Sequence, residues 1–142
     1  LSNRIQSMQQ QRAKHALEKI EAAEKKYQGE DRDKIVAYAE NAPASILING
    51  LGQAAATLRA QAKGNFDDPH MTVYNAIKEW LCRNDPSAPY PHDEDLLTAI
   101  TKGNRKTYLL AQAEALGYLE WYKKFAVALL KNTGKKSIMD QG

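Results

Sequence analysis

The chain has 142 residues, one domain's worth, and can bury a core without metal or disulfide staples. Hydrophobic residues make up 43% and charged residues 26%, which excludes a wholly disordered chain, and the one cysteine, Cys82, excludes an internal disulfide and points to a reducing, cytoplasmic setting. Net charge is +3, too small to announce a nucleic-acid binder by itself.

The elements read as helices with short breaks, and no alternating β-branched pattern marks a strand. The expectation is all-α: a single compact bundle of about five to six helices over 1–142, closed by a long, largely apolar C-terminal helix. Its ends, 1–2 and 134–142, are expected to fray. The opening Leu1-Ser2-Asn3-Arg4 leads into glutamines, so no secretory leader is expected, and no apolar run approaches the roughly 20 residues that span a bilayer.

The first helix is predicted from Ser2 or Asn3 to Tyr27, with Ala13, Ala16, Ile20, Ala23 and Tyr27 as its apolar stripe and Gly29 ending it. A short second helix follows from Arg32 to Glu40, with Asp31 as N-cap. A proline pushes the residue before it out of helical geometry, so this helix is expected to stop before Pro43. Pro43 then suits the first turn of a third helix, running to Lys63 with Ile46, Gly50, Ala54 and Leu58 on one face. Gly50 and Gly52 inside that helix cost about 1 kcal/mol each against alanine, which points to close approach by another backbone.

Asp68 and Pro69 predict an N-cap and first turn for a fourth helix, Pro69 to Arg83, burying Val73, Ile77, Trp80 and Leu81. Residues 84–92 hold three prolines and read as a surface loop. A fifth helix is expected from Asp93 to Lys102, with the acidic run Asp93-Glu94-Asp95 at its positive end and Gly103 as C-cap. The last helix is predicted from Arg105 to Lys131 with Asn104 as N-cap. It is apolar nearly all round, as in a helix central to a bundle or covered by a partner.

Catalytic and metal chemistry find little purchase. His15, His70 and His92 share no ligand spacing, and neither H-E-x-x-H nor E-x-x-H is present. His92-Asp93 lacks the further ligands of a metal phosphohydrolase. Asp93, Glu94 and Asp95, read as helical, point about 100° apart and do not converge on one ion. Gly50-Leu51-Gly52-Gln53 lacks the lysine and the preceding strand of a phosphate loop. Cys82 reads as a small buried thiol with no general base beside it. No catalytic residue, cofactor or metal is therefore expected.

The charge distribution says more. Residues 1–101 carry 12 basic and 14 acidic side chains, whereas 102–136 carry 8 basic and 2 acidic. Lysines near a helix C-terminus follow the dipole, which accounts for Lys131, Lys135 and Lys136. Lys102, Arg105 and Lys106 run against it, at a helix N-terminus, and an anion is one means of offsetting that. Lys123 and Lys124 extend the basic segment.

Two segments resemble a known family. Asn41-Ala42-Pro43-Ala44-Ser45-Ile46-Leu47-Ile48-Asn49-Gly50-Leu51-Gly52-Gln53 and Glu114-Ala115-Leu116-Gly117-Tyr118-Leu119-Glu120-Trp121-Tyr122-Lys123-Lys124-Phe125-Ala126 are similar to the two signature motifs of the small helical subunit of type III-B CRISPR RNA-targeting (Cmr) complexes. Arg12-Ala13, Ala16, Tyr74 and Trp80-Leu81 match in the family's order, while Tyr122 and Lys124 depart from its usual leucine and arginine. The resemblance implies a non-catalytic subunit, stacked head to tail in several copies beside the large and backbone subunits, lining the channel that holds crRNA and target RNA in antiviral defence. On it, Lys102, Arg105, Lys106, Lys123, Lys124 and Arg59 are candidate RNA contacts. Asn49, Gly50, Gly52, Gln53, Trp121 and Phe125 are candidate helix-packing or subunit-interface residues. A generic protein–protein adaptor without a nucleic-acid role is the alternative.

Overall fold

A computed structural model describes residues 6–131. Among these residues there are six helices and no strand: α1 (Met8–Lys26), α2 (Glu30–Asn49), α3 (Leu51–Ala62), α4 (Pro69–Leu81), α5 (Leu96–Lys102) and α6 (Arg105–Leu129). The all-α expectation holds. The expected fraying at 1–2 and 134–142, with Lys135 and Lys136, lies outside the described residues.

Several boundaries differ from the sequence reading. α1 starts at Met8, because Ser7 and Gln10 close a capping box: the Gln10 N–H donates to the Ser7 hydroxyl (3.1 Å) and the Ser7 N–H to Gln10 Oε1 (2.8 Å). α2 begins at Glu30 after Gly29, so Asp31 sits in its first turn and is not the N-cap. α4 ends at Leu81 with Cys82 at the C-cap position. α5 begins at Leu96 because Asp95, and not the residues before it, accepts the Thr98 N–H (3.4 Å). Asp93 has left-handed backbone (φ 62°), which ends any helical run there.

The largest correction concerns Pro43. α2 runs straight through it and the break falls at Gly50. An interior proline costs about 3 kcal/mol, through one lost hydrogen bond and a ring clash. Against this, α2 buries Ile35, Val36, Ala39, Ala42 and Ile46 along one stripe that spans the proline. Burying a single isoleucine or valine contributes about 1.5–3 kcal/mol, so the stripe outweighs the defect.

α6 lies between α1 and α2 and completes the core with Ala111, Ala115, Tyr118, Leu119, Tyr122 and Ala126, all inaccessible to solvent. Alanines at Ala16 and Ala23 of α1 and Ala39 and Ala42 of α2 let these helices pack closely. α3 and α4 pack against each other and against α2. The 84–92 segment has neither helix nor strand, but it is more than a surface excursion. Tyr90 is buried, its N–H donates to the Leu81 carbonyl (3.1 Å), and the Asp93 N–H donates to that of Cys82 (3.1 Å).

Candidate nucleic-acid interface

The N-terminus of α6 gathers three of the predicted basic residues. Asn104 caps it, accepting the Thr107 N–H (2.8 Å). Lys102 lies in the last turn of α5, where that helix's dipole favours a cation, and is tied to Glu94 (2.9 Å), so it does not run against a dipole as the sequence reading had it. Arg105 and Lys106 are exposed on the first turn, and no carboxylate among the described residues pairs with either. Two cations thus stand beside the positive end of a helix dipole with no carboxylate among the described residues to neutralise them, an arrangement that favours an anion.

Lys123 and Lys124 lie about five turns, about 27 Å, further along α6, and the helical repeat places them on the same side as Arg105 and Lys106. They are more committed. Glu120 takes both, Lys123 at 3.2 Å and Lys124 at 4.0 Å, and Glu40 of α2 lines the same shallow depression. Lys131, the last described residue, is exposed beyond the helix.

Arg59 is placed elsewhere. On α3 its guanidinium donates to Asp95 (2.8 Å) and to the Tyr74 hydroxyl (3.4 Å), 5.5 Å from the Tyr74 ring centroid, while that hydroxyl donates to the same Asp95 oxygen (2.8 Å). Burial, then the bond to Asp95, pushes the Tyr74 phenol up to about 12. Burial works against the Asp95 charge, yet the Tyr74 bond, the α5 backbone and Arg59 hold its carboxyl below the usual range. Arg59 therefore joins α3, α4 and the α5 N-cap in one network, and is not a free cation.

The other sequence candidates divide between interior and surface. Gly50 (φ 87°, ψ 158°) is the turn between α2 and α3. A Cβ there would meet the Tyr108 hydroxyl at 2.9 Å. The Leu51 N–H donates to Gln112 Oε1 (2.9 Å) and the Gly52 N–H to the Tyr108 hydroxyl (3.0 Å), so α6 side chains cap α3 in place of a local one. Asn49 and Gln53 are exposed on either side of this joint. Trp121 donates to Gln9 of α1 (2.8 Å) and packs beside Phe125, both partly buried.

Sequence reasoning gave the last helix surplus apolar surface without placing it, and it missed a polar cluster. Leu47, Ile48, Leu109 and Leu110 are 69%, 80%, 50% and 60% exposed, an apolar surface on the adjacent helices α2 and α6. A polar cluster also ties α1, α4 and α6: Arg12 grips Glu114 through two bonds (2.7 and 3.0 Å), Trp80 Nε1 donates to Glu114 (2.9 Å), and the Arg83 guanidinium lies 3.8 Å from the Trp80 ring centroid. Burial works against the Glu114 charge, yet the Arg12 and Trp80 bonds hold its carboxyl below the usual range. In the sequence Arg12, Trp80 and Glu114 stand out only as residues of the family resemblance, and Gly117, three residues after Glu114, leaves room for Arg12.

Among the described residues no three His, Cys, Asp or Glu side chains converge as a metal site, and no helix is long and apolar enough to cross a membrane. Burial pushes the Cys82 thiol up to about 11, which favours its protonated form at neutral pH. A family model described as CRISPR-associated protein (Cas_Cmr5) matches residues 8–129.

Proposed function

The chain belongs to the Cas_Cmr5 family, as a small subunit of the type III-B Cmr complex with its other subunits, and from that premise we propose a non-catalytic scaffold that contacts RNA through phosphates. The observation that carries this reading is the pair Arg105 and Lys106 at the start of α6, exposed and without a carboxylate partner among the described residues. Phosphate contacts are independent of sequence, and modest charge per subunit is sufficient where several copies add up along a guide–target duplex. Bond breaking belongs to the neighbouring large and backbone subunits.

The exposed Leu47, Ile48, Leu109 and Leu110 support a protein contact on the α2–α6 face, with a stacked copy or a backbone subunit. They also favour the alternative of an adaptor with no RNA role. The two readings part in reconstitution with crRNA and the other subunits. The scaffold reading expects Arg105→Glu with Lys106→Glu to enter the complex and weaken its hold on target RNA. Unchanged RNA retention by a complex containing the variant leaves the adaptor, and failure of the unmodified chain to incorporate removes both the scaffold and its RNA role.

A further inference from the structure

A cavity of about 220 Å³ opens between α2, α3 and α4, on residues that the basic surface does not use. Its floor is apolar: Ile46, Leu51, Leu58 and Ile77. Tyr38 and His70 wall one side as a stacked pair, ring centroids 3.8 Å apart and planes 16° apart. The His70 ring is held in place from behind, because Asp68 accepts at 2.8 Å from Nδ1, and a carboxylate only accepts. That leaves Nε2 of the neutral ring as an acceptor.

The mouth carries Asn41, Ser45, Thr57 and Gln61. No side chain of these four has a hydrogen-bond partner among the described residues. Two amides and two hydroxyls therefore surround an apolar slot with their bonding capacity unused. An aliphatic side chain from another protein would fill the floor but cover these groups unpaired, which is unfavourable for each one desolvated. A flat ring with donors and acceptors on its edge satisfies both requirements. The volume lies below the roughly 300 Å³ at which pockets for drug-sized ligands begin, so it suits one ring system and not a whole cofactor.

We propose that this cleft is a binding site for a single unstacked nucleobase, with Asn41 and Gln61 reading its edge and the Tyr38–His70 pair as its aromatic wall. Amide side chains pair with base edges, and bases out of a helix lodge against aromatic side chains. The base could belong to a free nucleotide or to an RNA strand, and the chemistry at the cleft is the same. This inference rests on the α2–α3–α4 geometry and is independent of the α6 cations.

The test is NMR titration of the full chain with adenosine, which is uncharged and so bypasses the basic surface. Saturable shifts at the amides of Tyr38, Asn41, Gln61 and His70 are expected. Asn41→Ala with Gln61→Ala, both exposed positions, should weaken the affinity about tenfold, the size of one or two lost hydrogen bonds. Parallel titrations with adenosine monophosphate and a short oligoadenylate distinguish the sources: equal affinity points to a free nucleotide, and tighter binding of the strand to RNA. Shifts with N-acetylleucine amide and none with adenosine would overturn the proposal in favour of a protein side chain. No saturable shift with either would overturn it outright.

Discussion

Arg12 and Glu114 stand 102 residues apart and meet in a two-bond ion pair, Nε to Oε1 at 2.7 Å and Nη2 to Oε2 at 3.0 Å. Both side chains are largely shielded from solvent, and Trp80 supplies a third bond to the carboxylate. Removing one member of such a pair leaves the other charge buried and uncompensated. Arg12→Ala should therefore cost about 3 kcal/mol in urea denaturation, and Glu114→Gln with Arg12→Ala distinctly less than the sum of the two single changes.

Gly50→Ala should be among the most damaging single-methyl additions in the chain. The residue sits at φ 87°, where L side chains are strained, and its new Cβ would lie 2.9 Å from the Tyr108 hydroxyl that caps α3. A loss of about 2–3 kcal/mol is expected from strain and the displaced cap together. Thermal melts of the variant beside Gly52→Ala, whose Cβ would meet nothing closer than 3.6 Å, check the difference.

Two tyrosines of the same helix should respond in opposite directions to loss of the hydroxyl. Tyr122 is fully buried and its hydroxyl finds no partner among the described residues, so Tyr122→Phe should stabilise by about 1 kcal/mol. Tyr118 is equally buried but bonds His15 Nδ1 at 2.8 Å, so Tyr118→Phe should destabilise by about 1 kcal/mol. Chemical denaturation of both variants side by side tests the pair.

His15 should give the fold a sensitivity to mild acid. Burial, then Lys19, lowers its pKa to about 4, with Arg83 acting the same way and Glu79 and Glu18 opposing. Its ring packs edge-on against Trp80 and Tyr118, and its Nδ1 shares a 2.8 Å hydrogen bond with the Tyr118 hydroxyl. The unfolded chain takes up a proton near the ordinary value of 6.5, the folded chain only near 4, so stability is full above 6.5 and falls as pH drops through that window. Between neutral pH and about pH 5.5 the loss should be about 1 kcal/mol, and His15→Asn should flatten it.

Among the basic residues the order of effect on target-RNA retention should follow their freedom. Arg105→Glu with Lys106→Glu should weaken retention most and lower the salt dependence by about two counterions. Lys123→Glu with Lys124→Glu should do less, since Glu120 already engages both. Arg59→Glu should act chiefly on stability, because it breaks the Asp95–Tyr74 network. Filter binding of reconstituted complexes, with melts of the isolated variants, distinguishes the two kinds of loss.

What the sequence by itself determined was whatever depends on neighbours along the chain. Helical class, the Asp68–Pro69 start of α4, the Asn104 cap of α6 and the basic bias of the last quarter are all local, because a cap or a dipole acts within one turn. Tertiary structure decided the rest. The helix persists through Pro43 because the burial that offsets the proline comes from packing against other helices, and it breaks at Gly50 because the donors freed there are met by Tyr108 and Gln112, 56 and 61 residues from the amides they cap. The same holds for charge. Arg59 and Arg105 look alike in sequence, and only the fold brings Asp95 to the first and, among the described residues, no carboxylate to the second. Residues far apart in the chain become neighbours only when the core forms, and no spacing along the chain encodes which of them meet.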